Sequence, residues 1–264
     1  MTPSEPQHLT ARQQEELARM SLLEHLEELR KRIFLALIAV FVAFIPCWVY
    51  VKEIFRFLQV PLWRIDPKLK LVFMGLTDPF ILYFKVAALT ALFVASPFVL
   101  YQVWAFIAPG LYRRERMLAL PFVFFTTIFF LAGGAFGYYI AFPYAAKFLL
   151  GIGEGFEALP EIGKYFGFLL TVLLGLGLMF ELPIFILLLS LIGVVTPRFL
   201  LRYFRHAVVL IFIVAAIITP TPDVVNLCIF AVPALGLYLL GVGAAFLAAR
   251  FRRKRDVETA AELE

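Results

Sequence analysis

Residues 165–195 read YFGFLLTVLLGLGLMFELPIFILLLSLIGVV, a run with a single charged residue, Glu181, near its middle. The hydrocarbon core of a bilayer is about 30 Å thick and a helix rises about 1.5 Å per residue, so about 20 apolar residues cross it. This run exceeds that length and carries Gly175, Gly177 and Pro183 around the acid, which predicts a bent or tilted span. A charge at the centre of a span costs about 3 kcal/mol on insertion scales. Glu181 is therefore expected to turn away from lipid toward a polar hollow, either as a protein-satisfied core carboxyl or as a functional polar site.

Working outward, runs of the same kind recur at Ile33 to Val51, Phe80 to Ala108, Met117 to Phe142 and Val224 to Ala249. A shorter one, His206 to Thr219, reaches only about 21 Å at 1.5 Å per residue, so either it ends below the surface, leaving a dip in the outer face of the protein, or the bilayer thins there. The fold class expected is an all-α integral membrane protein with six transmembrane helices, a short fifth span and a concave face. The bulk numbers agree, since 62% of the 264 residues are hydrophobic and 16% charged, where soluble domains are roughly half apolar. Mean hydropathy is +0.91.

The net charge of +5 does not point to nucleic acid, because the basic residues sit in short clusters between apolar runs. With six spans, one set of segments holds sixteen lysines and arginines, among them Arg30 to Arg32, Arg113, Arg114, Arg116 and Arg252 to Arg255. The opposite set holds seven, and Lys85 lies within the second span. The richer side is expected to be cytoplasmic, with both termini there.

Residues 1–20 lack a hydrophobic period and read as a disordered cytoplasmic tail. Residues 21–251 read as one membrane domain, opened by Ser21 at the capping-box spacing from Glu24, and 252–264 as a charged cytoplasmic tail. No cleavable leader is expected, because the polar N-terminal stretch runs directly into a mature span. In the long outer segment, Ile54, Phe55, Leu58, Leu62 and Trp63 suggest an amphipathic piece lying in the interface. Cys47 and Cys228 lie in apolar runs, and His8, His25 and His206 are scattered, so no metal site or cofactor is expected.

Acids on the inner face are the other chemical candidates. Glu27 and Glu28 precede Lys31 and Arg32 by one helical turn, spacing that makes ordinary i,i+4 ion pairs. Glu115 stands among three arginines and is equally suited to a helix N-terminus. A secondary transporter using Glu181 as a proton or cation site would explain the buried acid but not these two. A hydrolase lacks a serine or cysteine facing a histidine at plausible depth.

The run from Ser96 to Arg116, SPFVLYQVWAFIAPGLYRRER, resembles the stretch that leads from the second span of the TatC family into its first cytoplasmic loop. His25 to Arg32, HLEELRKR, is similar to the family's N-terminal motif, Phe180-Glu181-Leu182-Pro183 to its intramembrane acid, Pro61 to a proline of its first outer loop, and Thr219 to Asp223 to its last outer turn. The resemblance implies a non-enzymatic membrane receptor of the twin-arginine protein translocase. Such a receptor sits in the prokaryotic cytoplasmic membrane and works with single-span TatA-type and TatB-type partners, using the proton-motive force to export folded proteins. It also implies that Glu28 and Glu115 receive the two signal-peptide arginines, with Arg30 and Phe106 nearby. Glu181 becomes a polar contact within the concave face, and Pro61 and Asp223 become structural or functional positions outside. The family often follows Asp223 with a Ser-Gln pair where this chain has Asn226 and Leu227, so no polar role is carried over there.

Overall fold

The computed structural model describes the backbone of residues 11–107, 119–153, 155–219, 221 and 223–261, and the side chains of 25–107, 121–153, 155–219, 221 and 223–250. Among the described residues the chain is helical, without a strand beyond one isolated bridge. Five helices are long and apolar enough to cross a membrane: His25–Val49, Asp78–Ile107, Pro121–Ile152, Ile162–Ile192 and Val224–Arg250. A sixth, Phe204–Ile218, is shorter. At 15 residues it is about 22 Å long, the short fifth span that the sequence predicts.

Helix α1 (Ala11–Val49) begins well before Ser21, so the capping-box start is corrected: Ser21 and Glu24 lie inside the helix. Ala, Gln, Glu, Leu and Arg fill residues 11–20, and these are strong helix formers that continue the turn backward. Residues 11–20 thus form the first turns of α1, and residues 1–10 lie outside the described residues. Helix α2 (Val51–Ile65) follows at once, the amphipathic outer piece, with Val51, Leu58, Pro61 and Leu62 buried and Trp63 facing out.

Helix α3 (Asp78–Ile107) is the second span, and α1 packs chiefly along it. Helix α4 (Ala119–Phe136), a π turn at Gly137–Ala141 and α5 (Phe142–Ile152) make a continuous third span that ends at Ile152 rather than near Phe142. Pro143 has no N–H for the carbonyl four residues back and its ring crowds that carbonyl. The chain widens instead of stopping: Phe142 donates to the carbonyl of Gly137, five residues earlier.

The fourth span is broken where the acid stands. Helix α6 (Ile162–Phe180) ends at Glu181, and α7 (Leu182–Ile192) starts on the next residue with Pro183 in its first turn. Gly193, at φ 83°, closes α7 in the left-handed conformation. The Thr196 side chain accepts from the Phe199 N–H to cap α8 (Pro197–Arg202), and α9 (Phe204–Ile218) turns back. Helix α10 (Val224–Ala261) closes the bundle against α7, and its Tyr238 hydroxyl donates to the Leu200 carbonyl at 2.9 Å.

Close helix approach uses small residues, as expected where lipid offers no hydrophobic contrast. A Cβ on Gly133 of α4 would stand 2.5 Å from the Leu176 carbonyl oxygen and 2.8 Å from Gly177 Cα, so the α4 and α6 backbones touch there. Cys47 is buried and Cys228 half-buried, both as free thiols.

Candidate functional site

At the inner end of the first span, Glu28 and Arg32 stand one turn apart on α1. Arg32 Nη2 donates to Glu28 Oε1 at 3.2 Å, while Nη1 donates across to Gln102 Oε1 of α3, also at 3.2 Å. Gln102 is only 4% exposed. Arg32 and Glu28 keep 27% and 30% of their side chains open to the outside. Arg32 Nε is buried with no acceptor.

Close by, the His25 ring stacks on Phe106 with centroids 4.5 Å apart and planes at 24°. Arg30 lies with its guanidinium 5.7 Å above the Phe34 ring, so the cation that reaches Glu28 is Arg32. Glu28 and Phe106 are thus brought to one α1/α3 corner, and Glu115 lies outside the described residues. The ordinary i,i+4 pairing foreseen for Glu28 is formed, yet it occupies one carboxylate oxygen; among the described residues Oε2 has no protein partner.

Glu181 occupies the break between α6 and α7, where its N–H donates to Leu178 and its carbonyl accepts from Phe185. Its Oε1 is buried without a hydrogen-bond partner, a costly state that a polar neighbour or a proton would relieve. An apolar groove of about 510 Å³ runs under α2 among α3, α4, the π turn and α6, lined by Leu58, Leu89, Phe93, Leu131, Tyr138 and Leu173 among others. Glu181 is not among its lining residues, so the buried acid and this groove are separate features. Among the described residues no cluster of His, Cys, Asp or Glu is arranged to hold a metal ion.

A family model described as Sec-independent protein translocase protein (TatC) matches residues 24–233. The chain belongs to the TatC family. A TatC protein of Koribacter versatilis is 46% identical over 94% of each chain. One from Halothiobacillus neapolitanus is 41% identical over 95% of this chain and 68% of its own. Two solved structures titled twin arginine translocase receptor TatC superpose with TM-scores of 0.76 and 0.78, at 33% and 32% identity, over 85% and 84% of this chain and 99% of theirs. The chain is thus a multi-pass membrane protein of a protein-translocase family.

Within this TatC fold the outer positions are tied into the scaffold. Pro61 sits inside α2 and has no N–H to give Phe57, four residues back. The Tyr138 hydroxyl, carried on the π turn, donates to that freed Phe57 carbonyl, and the Tyr165 hydroxyl reaches the Leu58 carbonyl at 3.4 Å. Two proline irregularities, at Pro61 and Pro143, therefore meet at one hydrogen bond.

Asp223 caps α10, its Oδ1 accepting from the Asn226 N–H at 2.7 Å. Its Oδ2 accepts from Thr221 Oγ1 at 2.6 Å and Asn226 Nδ2 at 2.9 Å. Partial burial pushes this carboxyl's pKa upward, but the hydrogen bonds from Thr221, Asn226 and Val225 outweigh it and hold the value below the usual carboxylate level. Asn226 is fully buried and also donates to Thr221 Oγ1 at 3.1 Å. The resemblance gave no role to Asn226; in the structure its side chain joins the hydrogen bonds around Asp223.

Sequence reasoning missed Gln102. It lies within the quoted loop signature, but its partner is 70 positions away, and only the packing of α1 on α3 joins them. A glutamine within the largely apolar second half of the span was the available signal.

Proposed function

We propose that this chain is the receptor subunit of a twin-arginine translocase in a prokaryotic cytoplasmic membrane, with both termini in the cytoplasm. In this role it binds twin-arginine signal peptides and assembles with TatA-type and TatB-type single-span subunits to export folded proteins on the proton-motive force. Family membership, together with solved relatives titled as the translocase receptor, supports the class of activity.

The observation that carries the binding mode is the Glu28 carboxylate, partly open at the inner boundary with one oxygen unpartnered among the described residues. A guanidinium is a planar fork that pairs with carboxylates through two N–H groups, and each charge-assisted bond contributes about 1.5 to 3 kcal/mol. In this reading Glu28 and Glu115 take one signal arginine each, and Phe106 offers an aromatic surface beside the first. Arg30 faces the same inner boundary. Lysine, a point donor, does not reproduce the fork geometry. Glu181 serves as a polar contact for a helix or leader segment lodged among the spans.

Binding of a fluorescent twin-arginine peptide to the reconstituted chain and to its Glu28→Ala, Glu115→Ala and doubly substituted forms tests this. Loss of binding in the double variant, with a paired-lysine peptide binding poorly to the parent, is expected. Undiminished binding in the double variant overturns the assignment. Cysteine labels near Pro109 and Arg198 should react from the cytoplasmic side alone.

A further inference from the structure

We propose, resting on the reading of Glu28 as a receiver of a signal arginine, that Gln102 and Arg32 are positioning residues of the same site. Gln102 fixes Arg32, and Arg32 holds one oxygen of Glu28 so that the other is presented to the incoming guanidinium.

Three features carry this. Gln102 is buried at 4% exposure in an apolar span, where an amide without a partner is costly, and its Oε1 is spent on a residue of another helix. The acceptor is therefore directed at Arg32 rather than at water. The guanidinium is rigid and planar, so anchoring Nη1 on Gln102 at 3.2 Å fixes where Nη2 meets Glu28 Oε1, also at 3.2 Å. A lysine at the same place would leave that geometry free. Last, the bridge ends on one oxygen of Glu28, and among the described residues the second oxygen has no partner.

A plain helix-stabilising pair needs Glu28 and Arg32 alone. The third member, brought from α3, ties the acid to the helix whose end carries Phe106. The His25 and Phe106 rings make a second α1-to-α3 contact beside it, which keeps the helices docked when the polar link is altered.

The test uses the full-length chain in lipid nanodiscs, a labelled twin-arginine peptide, and Gln102→Leu, Gln102→Glu, Glu28→Gln and the Gln102→Leu/Glu28→Gln pair. Glu115 stays in place, so residual binding remains measurable. Gln102→Leu should weaken binding about threefold to tenfold, since a hydrogen bond to a charged group is lost. Gln102→Glu, which keeps an acceptor for Nη1, should bind within about twofold of the parent. The decisive reading is coupling: the loss caused by Gln102→Leu should vanish once Glu28 is already Gln. An equal loss in both backgrounds means that Gln102 only docks α1 on α3, and the proposal fails. No loss in Gln102→Leu also overturns it. If Glu28→Gln alone binds as the parent does, the receiver role of Glu28 fails first, an outcome distinct from failure of the positioning link.

Discussion

The carboxylates of Asp223 and Glu28 stand at opposite ends of the molecule and differ in how fully the protein satisfies them. Asp223 receives three side-chain and backbone hydrogen bonds from Thr221 and Asn226, all within one turn of chain. Glu28 receives one, at 3.2 Å, from a guanidinium shared with another helix. A carboxylate whose lone pairs are all taken stabilises a turn and has little left for a ligand. One with an open oxygen at a water boundary contributes little to the fold and is available to a partner.

The largest expected effect follows from the open acid. Replacing Glu28 and Glu115 together by Ala should weaken twin-arginine peptide binding by about a hundredfold or more, because two charge-assisted contacts are removed. Asp223→Ala should leave the same binding within about twofold, since its oxygens are committed to the α10 cap. A large binding loss in Asp223→Ala, measured by anisotropy, would break the contrast.

Stability should respond in the opposite sense. Asp223→Ala removes a helix cap and should cost about 1 to 2 kcal/mol, read as a lowered midpoint in thermal unfolding. Folding lowers the Asp223 pKa, so its contribution is fully present above the unfolded value near about 4 and is lost as pH falls through the folded value below it. Acidification from about pH 5 toward pH 3 should therefore narrow the difference between parent and Asp223→Ala. Glu28→Ala should shift the midpoint far less, because its Arg32 pair is partly exposed and stabilises by at most a few tenths of a kcal/mol.

A subtler effect lies at the outer cap. Tyr138→Phe should cost about 1 kcal/mol by stranding the Phe57 carbonyl, and it should become nearly neutral in a Pro61→Ala background, where an N–H is restored four residues on. Equal losses in both backgrounds would show that the hydroxyl does not stand in for the missing proline N–H. The smallest change is expected for Lys164→Ala, whose 85%-exposed side chain pairs with Glu161 at 3.0 Å: less than about 0.5 kcal/mol.

The spans were legible because lipid demands long apolar helices, and the break at Glu181 was legible from Pro183 beside a buried acid. The end of the third span was not, because Pro143 usually stops a helix and only the structure shows the wider turn that absorbs it. The start of α1 was missed for the reverse reason: a capping pattern at Ser21 is a local signal, and the helix formers before it override it. At the inner site, Glu28 and Phe106 were assigned by resemblance, and the structure places both at the α1/α3 corner. Arg30 entered through the resemblance, whereas the spacing pointed to the Glu28–Arg32 pair that forms; what spacing did not give is that Arg32 also turns toward α3. Asn226 was given no role because its residue type departs from the family pattern, and its hydrogen bonds to Thr221 and Asp223 become visible only in the folded turn.

Helix α1 leans almost wholly on α3, and only a small part of its apolar stretch is buried by the rest of the molecule. Whatever holds the α1 apolar stretch in place besides lipid is thus chiefly one neighbour, and α3 is a 30-residue helix, with Pro97 inside it, whose other end is at Asp78.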